Sequence, residues 1–166
     1  MLQILVIGYN SDAFKDDIYG IAYETGKLIV EYGAVLITGG LGGVMEAASK
    51  GAYDAGGITV GIIPYEEKNK ANPYCKIVIC SGMGHGRNYV NVCSADGVII
   101  IGGGVGTLTE AGFAYMKKKP IIAIKGSGGI ADSYGGKYLD DRELIKIEVA
   151  DTPREAVEFI IKRCKV

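Results

Sequence analysis

The stretch Gly97-Val98-Ile99-Ile100-Ile101-Gly102-Gly103-Gly104-Val105-Gly106-Thr107-Leu108-Thr109-Glu110 carries the two signals that decide the fold. Val98, Ile99, Ile100 and Ile101 leave no polar face for solvent, so this strand requires neighbours on both edges and cover on both faces. The glycines after it let the chain turn sharply at the strand's carboxyl end into a helix that runs from about Leu108 to Lys117. A central parallel strand that feeds a helix through a glycine turn is the repeating unit of a wound α/β sheet.

The same unit recurs on either side. Residues 2–8 read as a strand, and residues 12–32 carry Ile18, Ala22, Leu28 and Ile29 at helical spacing. A strand at 35–38 leads through Gly40-Leu41-Gly42-Gly43 into a helix over 44–55, closed by Gly56-Gly57 in a left-handed cap. Further strands are expected at 58–63, 77–80, 120–124 and 145–149, with helices at 88–94 and 153–162, the last capped by Thr152 with Pro153 in its first turn. Residues 65–74 read as a polar loop, and 126–138 as too rich in Gly, Ser and Asp for a regular element. The prediction is one Rossmann-like domain spanning residues 1–166. It is an α/β fold with a doubly wound parallel sheet in three α/β/α layers and right-handed crossovers. In such sheets ligands bind beyond the carboxyl ends of the strands, where the strand order reverses.

Composition narrows the function. A net charge of -1 gives no field to draw a polyanion, so no nucleic-acid partner is expected. No apolar run approaches the roughly 20 residues of a membrane span, and the amino terminus has no charged signal region, which points to a cytoplasmic protein with no membrane partner. Cys75, Cys80, Cys93 and Cys164 form no C-x-x-C pair, and the single histidine, His85, stands in no zinc-ligand spacing with them, so no metal site is expected. The informative excess is glycine. Its 26 residues are clustered, and clusters mark tight turns and close approach of backbone to a ligand.

Three of these clusters follow strands: Gly8-Tyr9-Asn10-Ser11, Thr38-Gly39-Gly40-Leu41-Gly42-Gly43, and Gly102-Gly103-Gly104-Val105-Gly106-Thr107. Backbone N–H groups at helix starts, with the helix dipole behind them, form a cradle for a phosphate. None matches a P-loop, and the first lacks the dinucleotide G-x-G-x-x-G, so a tight ATP or NAD site is not supported. The competing explanation is that the glycines only permit close packing. Glu110 has two readings as well: with Thr107 it has capping-box spacing, or its carboxylate reaches a ribose hydroxyl. Arg87, between glycines and a helix, suits a phosphate or carboxylate. Glu46 opens the second helix, where a carboxylate also complements the dipole. His85, Tyr9 and Tyr89 are weaker candidates, and residues 126–138 are a candidate lid.

Thr38-Gly39-Gly40-x-Gly42-Gly43-Val44-Met45-Glu46-Ala47, Arg87-Asn88 and Gly102-Gly103-Gly104-x-Gly106-Thr107-x-x-Glu110 together resemble the LOG superfamily. That superfamily includes the Lonely Guy phosphoribohydrolases, also labelled lysine decarboxylases, and the molybdenum cofactor carrier proteins. The resemblance implies a nucleotide-type phosphate ligand bound by Gly8, Asn10, Ser11, Gly39, Gly40, Gly42, Gly43, Met45, Glu46, Arg87, Asn88, Gly102, Gly103, Gly104, Gly106, Thr107 and Glu110. On the hydrolase reading, Glu110 and Arg87 are catalytic, cleaving the N-glycosidic bond of nucleoside 5′-monophosphates with no cofactor required. Three departures resemble the carrier subgroup instead: Gly102 replaces a proline, Asn88 a lysine, and Val44-Met45-Glu46 a Leu-Met-Gly. The alternative is therefore a non-catalytic binder or carrier of a phosphorylated cofactor such as the molybdenum cofactor. The resemblance further implies a homo-oligomer, dimer or tetramer. The decarboxylase label finds no lysine in the cradle, and a distant resemblance to DprA-like DNA-processing proteins finds no basic groove.

Overall fold

A computed structural model of the chain describes residues 1–10 and 16–165. Seven strands, β1 (Gln3–Gly8), β2 (Val35–Thr38), β3 (Thr59–Ile63), β4 (Ile77–Cys80), β5 (Gly97–Ile101), β6 (Ile121–Ile124) and β7 (Ile147–Ala150), form one all-parallel sheet in the order β4-β3-β2-β1-β5-β6-β7. Helices α1 (Asp16–Glu31), α2 (Val44–Asp54) and α6 (Pro153–Cys164) cover one face. Helices α3 (Arg87–Ser94), α4 (Val105–Met116) and α5 (Gly129–Tyr134) lie on the other. This is the predicted doubly wound, three-layer Rossmann-like architecture.

Successive side chains of a strand point to opposite faces, and the two cores divide accordingly. Ile4, Val6, Ile99 and Ile101 pack under α1, α2 and α6, whereas Leu5, Ile7, Val98 and Ile100 pack under α3 and α4. Val98 to Ile101 are completely buried, as the unbroken apolar run required. β1 and β5 are neighbours, in register from Ile4↔Gly97 to Gly8↔Ile101. The chain then departs from them in opposite directions, to β2 on one side and β6 on the other, which makes their carboxyl ends the switch point.

Three local expectations change. Helix α4 begins at Val105, because Gly104 stands extended as its cap and its carbonyl accepts from Leu108 at 3.0 Å. Residues 126–138 contain a helix after all. The Asp132 carboxylate accepts from the N–H groups of Gly126 (2.7 Å) and Gly128 (3.0 Å), and Ala131 is buried against the sheet, which offsets the poor helical propensity of the segment. Residues 65–74 include a 3-10 turn at Lys68–Lys70. The predicted end of α6 holds: Thr152 Oγ1 accepts from Glu155 N–H at 3.2 Å, with Pro153 in the first turn. Among the described residues no helix is long and apolar enough to cross a membrane.

Helices α1 and α2 meet backbone to backbone. A Cβ on Gly26 would overlap the Ala48 carbonyl, and one on Gly51 would overlap the Tyr23 carbonyl, whereas Gly20, also in α1, has open space around it. In thermal or urea denaturation Gly26→Ala and Gly51→Ala are expected to lose about 1–3 kcal/mol through overpacking. Gly20→Ala is expected to gain about 0.5–1 kcal/mol by the ordinary helical preference for alanine. Equal effects at the three positions would remove the close crossing as their cause.

Candidate functional site

A crevice of about 350 Å³ opens at the carboxyl ends of β1, β2 and β5. Helix α3 provides its polar wall. Arg87, Asn88 and Asn91 are all buried on that helix, with Asn88 and Asn91 meeting α4. Arg87 is only 8% exposed yet makes no hydrogen bond or ion pair with any described residue, and its Nε is fully buried without a partner. The guanidinium lies over Gly39, where any side chain would overlap it and Met45 Sδ would also crowd in. Gly39 is thus the access that lets a large cation sit against the β2 turn.

Glu110, 7% exposed, faces the same crevice from α4. Its Oε1 accepts from Asn91 Nδ2 at 2.8 Å. Burial lifts its pKa from about 4.5 to about 7, against the opposing pulls of the Asn91 hydrogen bond and the Arg87 charge. Burial also lowers the Arg87 pKa, with Glu110 acting the other way, but the two do not form an ion pair. Asn91 Oδ1 is a second buried polar atom with no partner.

The capping-box reading of Thr107 and Glu110 does not hold. Gly104 is the cap and receives no side-chain bond. Thr107 Oγ1 instead donates to the Gly8 carbonyl at 3.1 Å, tying α4 to the end of β1. Asn88 Nδ2 donates to Thr109 Oγ1 at 3.0 Å and leans on the Gly106 carbonyl at 3.5 Å, so it fastens α3 to the first turn of α4.

Of the residues singled out from sequence, Gly8, Asn10, Gly39, Met45, Arg87, Asn88, Gly106, Thr107 and Glu110 line the crevice. Gly42 and Glu46 line an adjoining hollow of about 450 Å³. Gly40, Gly43, Gly102, Gly103 and Gly104 line neither. Gly43 lies against the backbone of Tyr9 and Asn10, Gly102 against the Tyr9 ring, and Gly103 against Thr107, so at these positions the packing explanation is the right one. The Gly102 N–H is already held by Ser127 Oγ at 2.8 Å and is not free for a phosphate. Ser11 lies outside the described residues. Residues 126–138 contribute nothing to the crevice lining; the N–H groups of Ile130 and Ala131 instead bond the carbonyls of Gly103 and Gly102, buttressing the third turn from behind.

Pro64 and Tyr65 had no sequence signal of their own; with Leu41 they join the crevice because the β2 and β3 turns converge there. His85, a weaker candidate from sequence, lines the crevice with Gly84 through the 3-10 turn that precedes α3. Asn91 was findable, since it falls one helical turn after Arg87.

The sequence matches the SLOG cluster4 family over residues 1–157. The chain belongs to that family. A protein from Archaeoglobus fulgidus is 40% identical over 161 residues, 97% of this chain and 95% of its own. The solved structure of TM1055 is 37% identical, covering 98% of this chain and 99% of that one, with a TM-score of 0.91. A molybdenum cofactor binding protein from Rippkaea orientalis is 33% identical over 98% of this chain and 96% of its own, with a TM-score of 0.86. The molybdenum cofactor carrier protein from Chlamydomonas reinhardtii is 29% identical over 99% and 98%, with a TM-score of 0.85. A likeness to DNA processing protein A from Helicobacter pylori, at 16% identity over 98% of this chain and 81% of that one with a TM-score of 0.70, is one of fold alone. The carrier-like side of the resemblance is therefore the one supported. Among the described residues no cluster of three or more His, Cys, Asp or Glu could hold a metal ion.

The raised pKa of Glu110 has a direct consequence for stability. Between pH 4.5 and about 7 the folded protein keeps a proton that the unfolded chain has released. Stability therefore falls as pH rises through this window, by at most about 3 kcal/mol. Glu110→Gln keeps an acceptor for Asn91 and removes the titration, so thermal denaturation should show a flatter profile from pH 5 to 8 and a higher melting temperature than the wild type at pH 8. A profile parallel to that of the wild type would place the titration on another group.

Proposed function

We propose that this protein binds a phosphorylated, pterin- or nucleotide-like small molecule in the switch-point crevice and holds it without turnover, with the molybdenum cofactor as the ligand class. The observation that carries the reading is Arg87, a side chain only 8% exposed that has no hydrogen-bond or ion-pair partner among the described residues. Burying an unpaired charge costs several kcal/mol, which an anionic ligand offsets when it arrives. Gly39 and the start of α4 at Gly106 and Thr107 give that anion room beside the guanidinium and a favourable helix dipole. The Rippkaea and Chlamydomonas neighbours, named for binding and carrying the molybdenum cofactor, support the same reading. The chain's residues would hold the phosphate and organic parts of such a ligand, whose metal would arrive already bound.

One observation favours a hydrolytic second reading. A carboxyl with a pKa of about 7 can give a proton to a departing base. The two readings separate in one experiment. On the carrier reading, ribose 5-phosphate, nucleoside 5′-monophosphates and isolated molybdenum cofactor raise the melting temperature, and chromatography finds no free base after prolonged incubation. Arg87→Met is expected to weaken every phosphorylated ligand by about tenfold or more. Base release that disappears in Glu110→Gln would overturn the carrier reading.

Helix α4 supports assembly of two or more copies. Glu110 is its only charged residue, and on its outer side Val105 is 78% and Met116 53% exposed, with Leu108, Gly112 and Phe113 half-buried between them. An outer helix face that is apolar apart from Thr109 calls for cover, and the occupant we assign is a second copy of this chain. Sedimentation should show an oligomer that Leu108→Glu with Met116→Glu converts to monomer; a monomeric wild type would exclude it.

A further inference from the structure

The hollow beside the crevice is not needed to hold a phosphate. It is lined by Asn10, Leu41, Gly42, Glu46, Tyr65, Lys70, Ala71 and Asn72, and it shares Asn10, Leu41 and Tyr65 with the crevice, so the two form one continuous groove. Its position is set by backbone. Val44 N–H donates to the Tyr9 carbonyl at 2.9 Å, which fixes the start of α2 beside the β1 turn, and Asn72 N–H donates to the Gly40 carbonyl at 2.8 Å, which brings the β3–β4 connection over the β2 turn.

The polar groups in the hollow differ in availability. The Asn72 carboxamide is committed: Nδ2 donates to the Leu41 carbonyl at 3.0 Å and Oδ1 accepts from Tyr74 N–H at 3.1 Å. Glu46, in the first turn of α2, makes no hydrogen bond or ion pair with any described residue, not even with Lys70 in the same hollow. Among the described residues nothing occupies either of its carboxylate oxygens. Tyr65, 46% exposed, stands where the two compartments join and adds an aromatic side chain to the lining of both.

A carboxylate with two open oxygens is an acceptor-only group. It matches a flat heterocycle that presents two adjacent N–H donors, and a 2-amino-4-oxo ring does so through its ring N–H and its exocyclic amine. Adenine offers one donor beside an acceptor, and a 2-oxo ring sets an oxygen against a carboxylate oxygen. Lys70 supplies a donor for the 4-oxo group. We propose that this hollow is a recognition site for the 2-amino-4-oxo edge shared by pterins and guanine, read by Glu46, with the phosphate of the same ligand at Arg87. The placement of the phosphate at Arg87 rests on the crevice being the phosphate site, whereas the edge reading stands on the hollow itself.

The test is a set of matched ligand pairs measured by titration calorimetry or, for the pteridines, by fluorescence. GMP and IMP differ only in the 2-amino group, and pterin and lumazine differ by 2-amino against 2-oxo. In the wild type the 2-amino member of at least one pair should bind about tenfold tighter or more, and Glu46→Gln should bring that ratio to near one. A preference within the pteridine pair alone identifies a pterin as the ligand, and one within the nucleotide pair identifies a guanine nucleotide. Equal affinity within both pairs, no binding of any of the four, or a preference that survives Glu46→Gln overturns the proposal. Ribose 5-phosphate separates the two layers: if it does not bind while pterin still outcompetes lumazine, the phosphate-site reading fails and the edge-reading hollow stands.

Discussion

The adjacency of β1 and β5 governs this molecule. Two parallel strands paired along their whole length send their chains apart, one to each side of the sheet and one to each face. The crevice opens at their carboxyl ends, where the chain leaves the two strands in opposite directions. Every polar group of interest is placed relative to that gap. Thr107 ties α4 to the last carbonyl of β1, Val44 ties α2 to the loop just beyond it, and Asn88 ties α3 to α4. Three helices from both layers are thus held by a few hydrogen bonds around one opening, while the apolar sheet beneath gives them a base.

Within that opening the electrostatics are unsatisfied. Natural interiors seldom leave a guanidinium unpaired, because the lost hydration is not recovered. Here Glu110 stands close enough to be felt by Arg87 but pairs with Asn91 instead. Burial, not the cation, dominates its titration, so near neutrality it is divided between acid and carboxylate. An anion brought to Arg87 adds negative charge beside it and favours the acid form. The site then presents a cation and an O–H donor together to phosphate oxygens.

How much of this was legible in the sequence depended on whether the signal was local. Val98 to Ile101 declared the central strand, because four branched apolar residues in a row allow no exposed face. Arg87 and Glu110 stood out because each is a charged residue just after a glycine-rich turn, although Glu110 also carried the spacing of a capping box; both line the crevice. The glycines were less readable. Gly39 gives access to the crevice, whereas Gly102 and Gly103 serve close packing, and only the neighbours in space tell the two apart. Helix α5 was hidden by its glycines and appears because Asp132 holds the N–H groups of the turn before it. Tyr65 and Leu41 reach the site through the convergence of two loops that are distant along the chain, which no periodicity records.

Asn88 shows how one departure from the hydrolase-like pattern changes the chemistry. Where the resembling hydrolases carry a lysine, this chain places a neutral amide, and the amide is consumed in fastening α3 to the first turn of α4. Among the described residues Arg87 is left as the one buried cation of the crevice, and it does not overcome the desolvation of Glu110. An ammonium at position 88 would add a second positive charge near that carboxyl and press its pKa back toward the ordinary range, giving a fixed carboxylate suited to stabilising a developing cation in a sugar ring. With asparagine there, Glu110 keeps a raised pKa and its acid form remains accessible near neutrality as a hydrogen-bond donor to an anion. The same replacement thus weakens the case for turnover and strengthens the case for retention, through charge alone and without any change in the shape of the fold.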